Sequence, residues 1–148
     1  MPASEIDLDP VQHITADAIG QPGQRVFYLQ GWRETDPQPV TLIIEKIQLQ
    51  SLALGIEQMI IEIAHQKPEL AAPQADYDPD RMRILPPVDP LFRAGEMGIG
   101  YDADHDRIVV LVRAVTPEGE DPAQAAAVRF WCTRQQARML SAWAAEVI

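Results

Sequence analysis

At 148 residues, with 47% apolar and 23% charged side chains, the chain has the size and composition of one folded domain that needs no disulfide or structural metal to bury a core. A net charge of -10 counts against phosphate backbones and anionic lipid headgroups as partners. The single cysteine, Cys132, excludes an internal disulfide and any multi-cysteine zinc or iron–sulfur site, and fits a reducing, cytoplasmic location.

The opening Met1 to Pro10 has neither a basic stretch nor an apolar run, so it is not read as a secretory signal. Val11 to Gly20 predicts a strand, followed by the turn residues Gln21-Pro22-Gly23. Arg25 to Gln30 and Val40 to Glu45 are β-branched and aromatic runs that predict two more strands. From Gln48 to Gln66 the period changes: Leu49, Leu52, Ile56, Met59, Ile60 and Ile63 recur at three and four residues, which predicts an amphipathic helix ending before Pro68. Glutamines and glutamates interrupt its apolar face too often for a bilayer span, and no membrane partner is expected. Lys67 to Pro90 carries six prolines and predicts a stiff linker. Phe92 to Tyr101, Arg107 to Val115 and Val128 to Cys132 then predict strands, with a turn at Asp102 to Asp106 and a loop from Thr116 to Ala125. Gln135 to Ile148 predicts a second helix.

The same order of signals thus occurs twice. Aligning Val40 to Ile60 with Val128 to Ile148, at an offset of 88 residues, needs no gap and matches ten of twelve apolar positions. Val40/Val128, Gln48/Gln136, Leu52/Leu140 and Ile60/Ile148 are identical, whereas Gly55 stands against Trp143. Ile19-Gly20 with Arg25 echoes Ile99-Gly100 with Arg107, which predicts a second hairpin turn two residues longer than the first. The expected architecture is a single α+β domain over residues 1–148: a tandem βββα repeat with antiparallel sheets and two helices related by a pseudo-two-fold. Repeat one spans 11–66, the linker 67–90 and repeat two 91–148. The second helix stops at Ile148 about a turn and a half short of the first, so a natural chain extending further is expected.

No pattern carries recognisable catalysis. Asp102, Asp104 and Asp106 resemble the opening of a calcium loop, but Arg107 and Arg113 occupy the glycine and glutamate positions, so a plain acidic turn is expected, with no metal. His13, His65 and His105 have no ligand spacing, and no cofactor motif occurs. Cys132 lies between strand neighbours where a buried thiol is inert. Glu45 to Gln48 and Thr133 to Gln136 sit at equivalent strand-to-helix junctions and read as helix starts, Thr133 with Gln136 as a capping box and Glu45 as a negative charge beside a helix N-terminus.

Strand faces are the remaining signal. Period two groups Arg107, Val109, Leu111 and Arg113, and Arg129 with Trp131, while Ile108, Val110, Val112, Val128, Phe130 and Cys132 form the opposite, core-directed faces. In the first half Arg25, Phe27 and Leu29 share a face. Strands with two apolar faces require cover on both. The other repeat, the proline linker or a second subunit can supply it; otherwise Arg25, Phe27, Arg107, Arg113, Arg129 and Trp131 form a ligand or partner surface.

The run Ile19 to Gln30, with its G-x-P-G-x-R-x-F-x-L-Q pattern, together with Ile44 to Gln48, Phe92 to Met97 and the Gly100 to Arg107 turn, resembles a bacterial family catalogued as domain of unknown function 3090. The resemblance covers nearly the whole chain and implies no catalytic residues. Many members continue into a cysteine-rich tail that looks like a zinc knuckle, which this chain lacks, so no metal role carries over. The duplicated βββα order also looks, more loosely, like Pur-alpha and Whirly single-strand-binding repeats. The expected function is a non-enzymatic binding or scaffolding module with a protein or small-molecule partner, dimeric through a helix or sheet face. The alternative is single-stranded nucleic-acid binding on the arginine and aromatic face.

Overall fold

The computed structural model describes residues 5–148; the reading of Met1 to Ser4 as part of the N-terminus lies outside them. In chain order the elements are β1 (Glu5–Leu8), β2 (Val11–Ile19), β3 (Val26–Arg33), β4 (Val40–Ile44), α1 (Lys46–Gln66), β5 (Pro90–Asp102), β6 (Arg107–Ala114), β7 (Ala127–Cys132) and α2 (Arg134–Val147), with single 3₁₀ turns at Pro79–Met82 and Pro122–Gln124. Every predicted strand and both helices are present, and β1 is additional. Its four residues, Glu-Ile-Asp-Leu, carry too weak an alternation to announce a strand, and its partner lies some 120 residues away.

The expected antiparallel sheets are in fact one mixed, seven-stranded sheet, ordered β1-β7-β6-β5-β4-β3-β2. The meanders β2-β3-β4 and β5-β6-β7 are antiparallel, but β5 lies parallel to β4 and β1 parallel to β7. A parallel neighbour requires a long crossover, which α1 and the proline linker provide between β4 and β5. The end strands β1 and β2 are successive in the chain, joined through Asp9–Pro10, and a methyl added at Gly31 of β3 would come within 3.0 Å of the Phe130 ring of β7. The sheet is therefore strongly curled. The hairpin turns also depart from expectation: Ile19 pairs with Val26 and Asp102 with Arg107, so the second turn is the shorter. Gly20, at φ +114°, breaks the first strand early, whereas β5 continues its pairing through Gly100 to Asp102.

One face of the sheet forms the core. Leu29, Leu42, Ile108, Val110, Val112, Val128, Phe130 and Cys132 are fully buried on it, against Leu49, Leu52 and Ile56 of α1 and Ala137, Leu140 and Ala144 of α2. Each large aliphatic or aromatic side chain so buried contributes roughly 1.5–3 kcal/mol. The helices are joined by an Arg138–Glu57 ion pair at 2.7 Å and by a hydrogen bond from Ser141 to Glu57.

The predicted capping box at Thr133 forms, a second one forms at Glu45 where only a favourable charge is expected, and each does a second job. Gln48 accepts from the Glu45 backbone N–H at 2.7 Å and donates to the carbonyls of Ala94 and Gly95 in β5. Gln136 accepts from the Thr133 N–H at 2.9 Å and donates to the carbonyls of Val11 and Gln12 in β2. Each amide thus ties a helix start to a strand belonging to the other meander.

The proline linker has a structural task of its own. The outer face of β2-β3-β4 carries the buried polar side chains Thr15, Asp17, Gln30 and Thr41. Left bare against apolar surroundings, such groups are costly. The linker satisfies three of them: Thr15 donates to the Met82 carbonyl, Asp17 accepts from Arg83 at 2.9 Å and from the Ile84 N–H, and Gln30 exchanges two hydrogen bonds with the Leu85 backbone, while Thr41 accepts from the Gln30 amide at 3.0 Å. Met82, 1% exposed, is the apolar plug of this roof.

Candidate functional site

The outer face of the opposite half of the sheet, on β5-β6-β7, carries glycine, aliphatic, tryptophan and arginine residues in place of buried polar ones and has no roof among the described residues. Strand register sets it out in two rows, Gly98 beside Leu111 beside Arg129, and Gly100 beside Val109 beside Trp131, with Asp7 of β1 next to Arg129. All six residues of these rows are partly exposed, as are Arg107 and Arg113 at the ends of β6. A methyl added at Gly98 would meet no atom within 4 Å, which is the geometry of an open surface. Two glycines lower the floor of the sheet at β5, and Trp131 stands at the other side.

The charges on this face are partly spent internally. Trp131 donates its indole N–H to Asp7 at 3.0 Å, and Arg129 lies 3.5 Å from Glu5 and 3.8 Å from Asp7. Arg107 turns back onto the carbonyls of His105 and Asp106. Arg113 makes no hydrogen bond or ion pair among the described residues.

The six residues singled out from sequence therefore separate. Arg107, Arg113, Arg129 and Trp131 share one open face. Phe27, 6% exposed, faces the core, and Arg25 lies at the far meander, where its guanidinium donates to the Val147 carbonyl at 3.0 Å and covers the Phe27 ring at 5.2 Å. A cation on the last carbonyls of α2 is a helix C-cap. Alternation puts Arg25, Phe27 and Leu29 on one face, but it does not say which face is the inner one. The proline linker is the expected cover for only half of the sheet. The acidic residues Asp7 and Glu5 on the rim were missed, because β1 was.

The remaining motifs have local explanations. Asp102 accepts from the N–H groups of Asp104 and His105 and binds the His105 ring at 2.7 Å, which holds its carboxyl below the usual range. Asp106, at φ 51°, receives the Arg134 guanidinium at 2.9 Å and the Tyr101 hydroxyl at 2.7 Å; Arg134 is the main cause of its lowered pKa. These contacts order the β5–β6 turn. Cys132 is fully buried, its thiol is pushed up to about 12 by burial, and it donates to the Ile108 carbonyl. A thiol held in that state is a packing residue.

Among known proteins, a family model described as "Protein of unknown function (DUF3090)" matches residues 6–148. No curated protein and no solved structure matches the chain. Among the described residues no helix is long and apolar enough to cross a membrane.

Proposed function

Since the chain belongs to the family of proteins of unknown function DUF3090, which brings no activity with it, we propose from its surface that it is a cytoplasmic, non-enzymatic binding module. Its open β5–β6–β7 face receives an extended segment of a partner protein. The observation that carries this reading is the contrast between the two outer faces: one is covered by the linker, whereas the other, with Trp131, Leu111, Val109 and two glycines, is partly exposed and carries no such cover among the described residues. Trp and Arg are the side chains that most often anchor interfaces, and both stand here.

The contrast gains weight if β2-β3-β4-α1 and β5-β6-β7-α2 are copies of one βββα unit, related by a pseudo-two-fold within a single domain. That reading is supported by the ungapped 88-residue offset, by Gln48 and Gln136 performing the same double task, and by parallel pairing of Leu42 with Phe92 where Phe130 pairs with Leu8.

A displayed library of extended peptides, selected on the wild-type protein and counter-screened on Trp131→Ala with Arg113→Glu, tests the assignment. Selected peptides are expected to bind the double variant at least about tenfold more weakly, the loss of roughly 1.4 kcal/mol or more of anchor energy. Peptides that bind both proteins equally, or none at all, would remove this face from the function.

One observation favours single-stranded nucleic acid instead: Trp131 shares its face with three arginines, as in stacking platforms. Glu5 and Asp7 on the same face oppose it. Anisotropy of labelled oligonucleotides decides, since phosphate contacts require binding at low salt that weakens steeply as salt is raised.

A further inference from the structure

A second concavity, of about 620 Å³, opens where the roof segment, the start of β2, the end of β3 and α2 meet. That volume suits a small organic molecule. Its walls are aromatic and apolar. His13 and Trp32 are cross-strand partners whose rings lie 4.8 Å apart, Met139 of α2 faces them, and Tyr77 is fixed edge-on against Trp143 with ring centres 5.8 Å apart.

The cleft is built in advance. The segment that forms its outer wall is pinned at one end by Gln135, which bonds both the N–H and the carbonyl of Gln74, and at the other by the contacts of Met82 and Leu85 with Thr15 and Gln30. Preformed walls spare a ligand the cost of ordering them.

Its polar lining carries both signs. Arg81 stands beside His13, and Asp76 also lines the cleft; neither makes an ion pair among the described residues. Asp78, which accepts from the Asp80 N–H at 3.0 Å, adds a second carboxylate to the lining. Burial, followed by the Arg81 charge, lowers the His13 pKa, so the imidazole adds no second cation at neutral pH.

We propose that this cleft binds a small zwitterion with a flat apolar body, of the aromatic α-amino-acid class. The ring lies among Trp32, Tyr77 and Met139, the carboxylate meets Arg81, and the ammonium meets Asp76. Charge-assisted contacts of this kind are the strong ones, and a molecule bearing one sign alone leaves half the lining unused.

The test is a calorimetric titration of the full chain with three probes that share one ring: L-tryptophan, indole-3-propionate and tryptamine. The Trp32 indole resonance is followed by NMR in parallel. Tryptophan is expected to bind at least about tenfold more tightly than either single-charge analogue, shifting the Trp32 signal. Arg81→Gln is expected to weaken tryptophan and the acid while sparing the amine, and Asp76→Asn the reverse; both residues are exposed, so neither change disturbs the core. Three results overturn the proposal: no Trp32 shift with any probe at millimolar concentration, equal binding of all three, or tryptophan binding unchanged in both variants. Trp131→Ala, which lies on the other face, leaves tryptophan binding intact, so this cleft and the open sheet face stand or fall separately.

Discussion

His13 and His105 show how local surroundings assign opposite roles to one residue type. His13 is half-buried, and burial and then Arg81 lower its pKa from the ordinary 6.5. The unfolded chain therefore takes up this proton more readily than the folded one. The stability His13 contributes is complete above about pH 6.5 and is lost as pH falls below it toward the folded-state value. His105 is held by Asp102 with a raised pKa, so its contribution is present in acid and lost as pH rises through that raised value. Replacing His13 by Gln isolates the first effect. The melting temperature of wild type minus that of His13→Gln is expected to fall between about pH 8 and about pH 5; a difference that is flat or rises would show that His13 carries no such burden. Sequence spacing offers these histidines no shared ligand motif, but burial and the approach of Arg81 come from contacts about 68 residues apart, which no local pattern encodes.

At the scale of elements, Gln48 and Gln136 are more than caps. A capping residue alone is worth about 1 kcal/mol. Each glutamine amide also donates to two strand carbonyls, leaving acceptors without partners when removed, three of them in part-buried bonds. Gln136→Ala and Gln48→Ala are each expected to cost about 1–3 kcal/mol in urea unfolding. A loss below about 0.5 kcal/mol would mean that water replaces the strand contacts. The cap was legible because Thr133-x-x-Gln136 is a local pattern with a local cause. The tie to β2 joins residues some 125 apart, and its existence depends on how the sheet curls. The pair Gly55 and Trp143 teaches the same lesson. A methyl at Gly55 would fall 2.7 Å from the Ile99 side chain, whereas the Trp143 indole donates to the Ala16 carbonyl at 2.6 Å. A small helix residue meets a large strand residue at one contact and a large helix residue meets a small strand residue at the other, and neither is visible until the partners are known.

Across the whole molecule, the segment richest in proline is as integral as any strand. It has no α-helix or strand, yet its Met82 is 1% exposed and its backbone satisfies three buried polar side chains. Met82→Ala is expected to destabilise the protein by about 2–5 kcal/mol, the range for buried large-to-small changes, and to open residues 78–87 to limited proteolysis. A variant with wild-type stability and an uncut linker would show the roof to be dispensable. Strands β2 to β7, both helices, the Thr133 capping box and the inner faces of β6 and β7 followed from sequence alone, because alternation, helical period and capping arise from interactions within a few residues. The mixed order of the sheet, the presence of β1, the inward turn of Phe27 and the linker's choice of one outer face over the other were decided only by tertiary structure. Each depends on contacts between distant segments competing for the same apolar surface, and the outcome of that competition left one face covered and the other open.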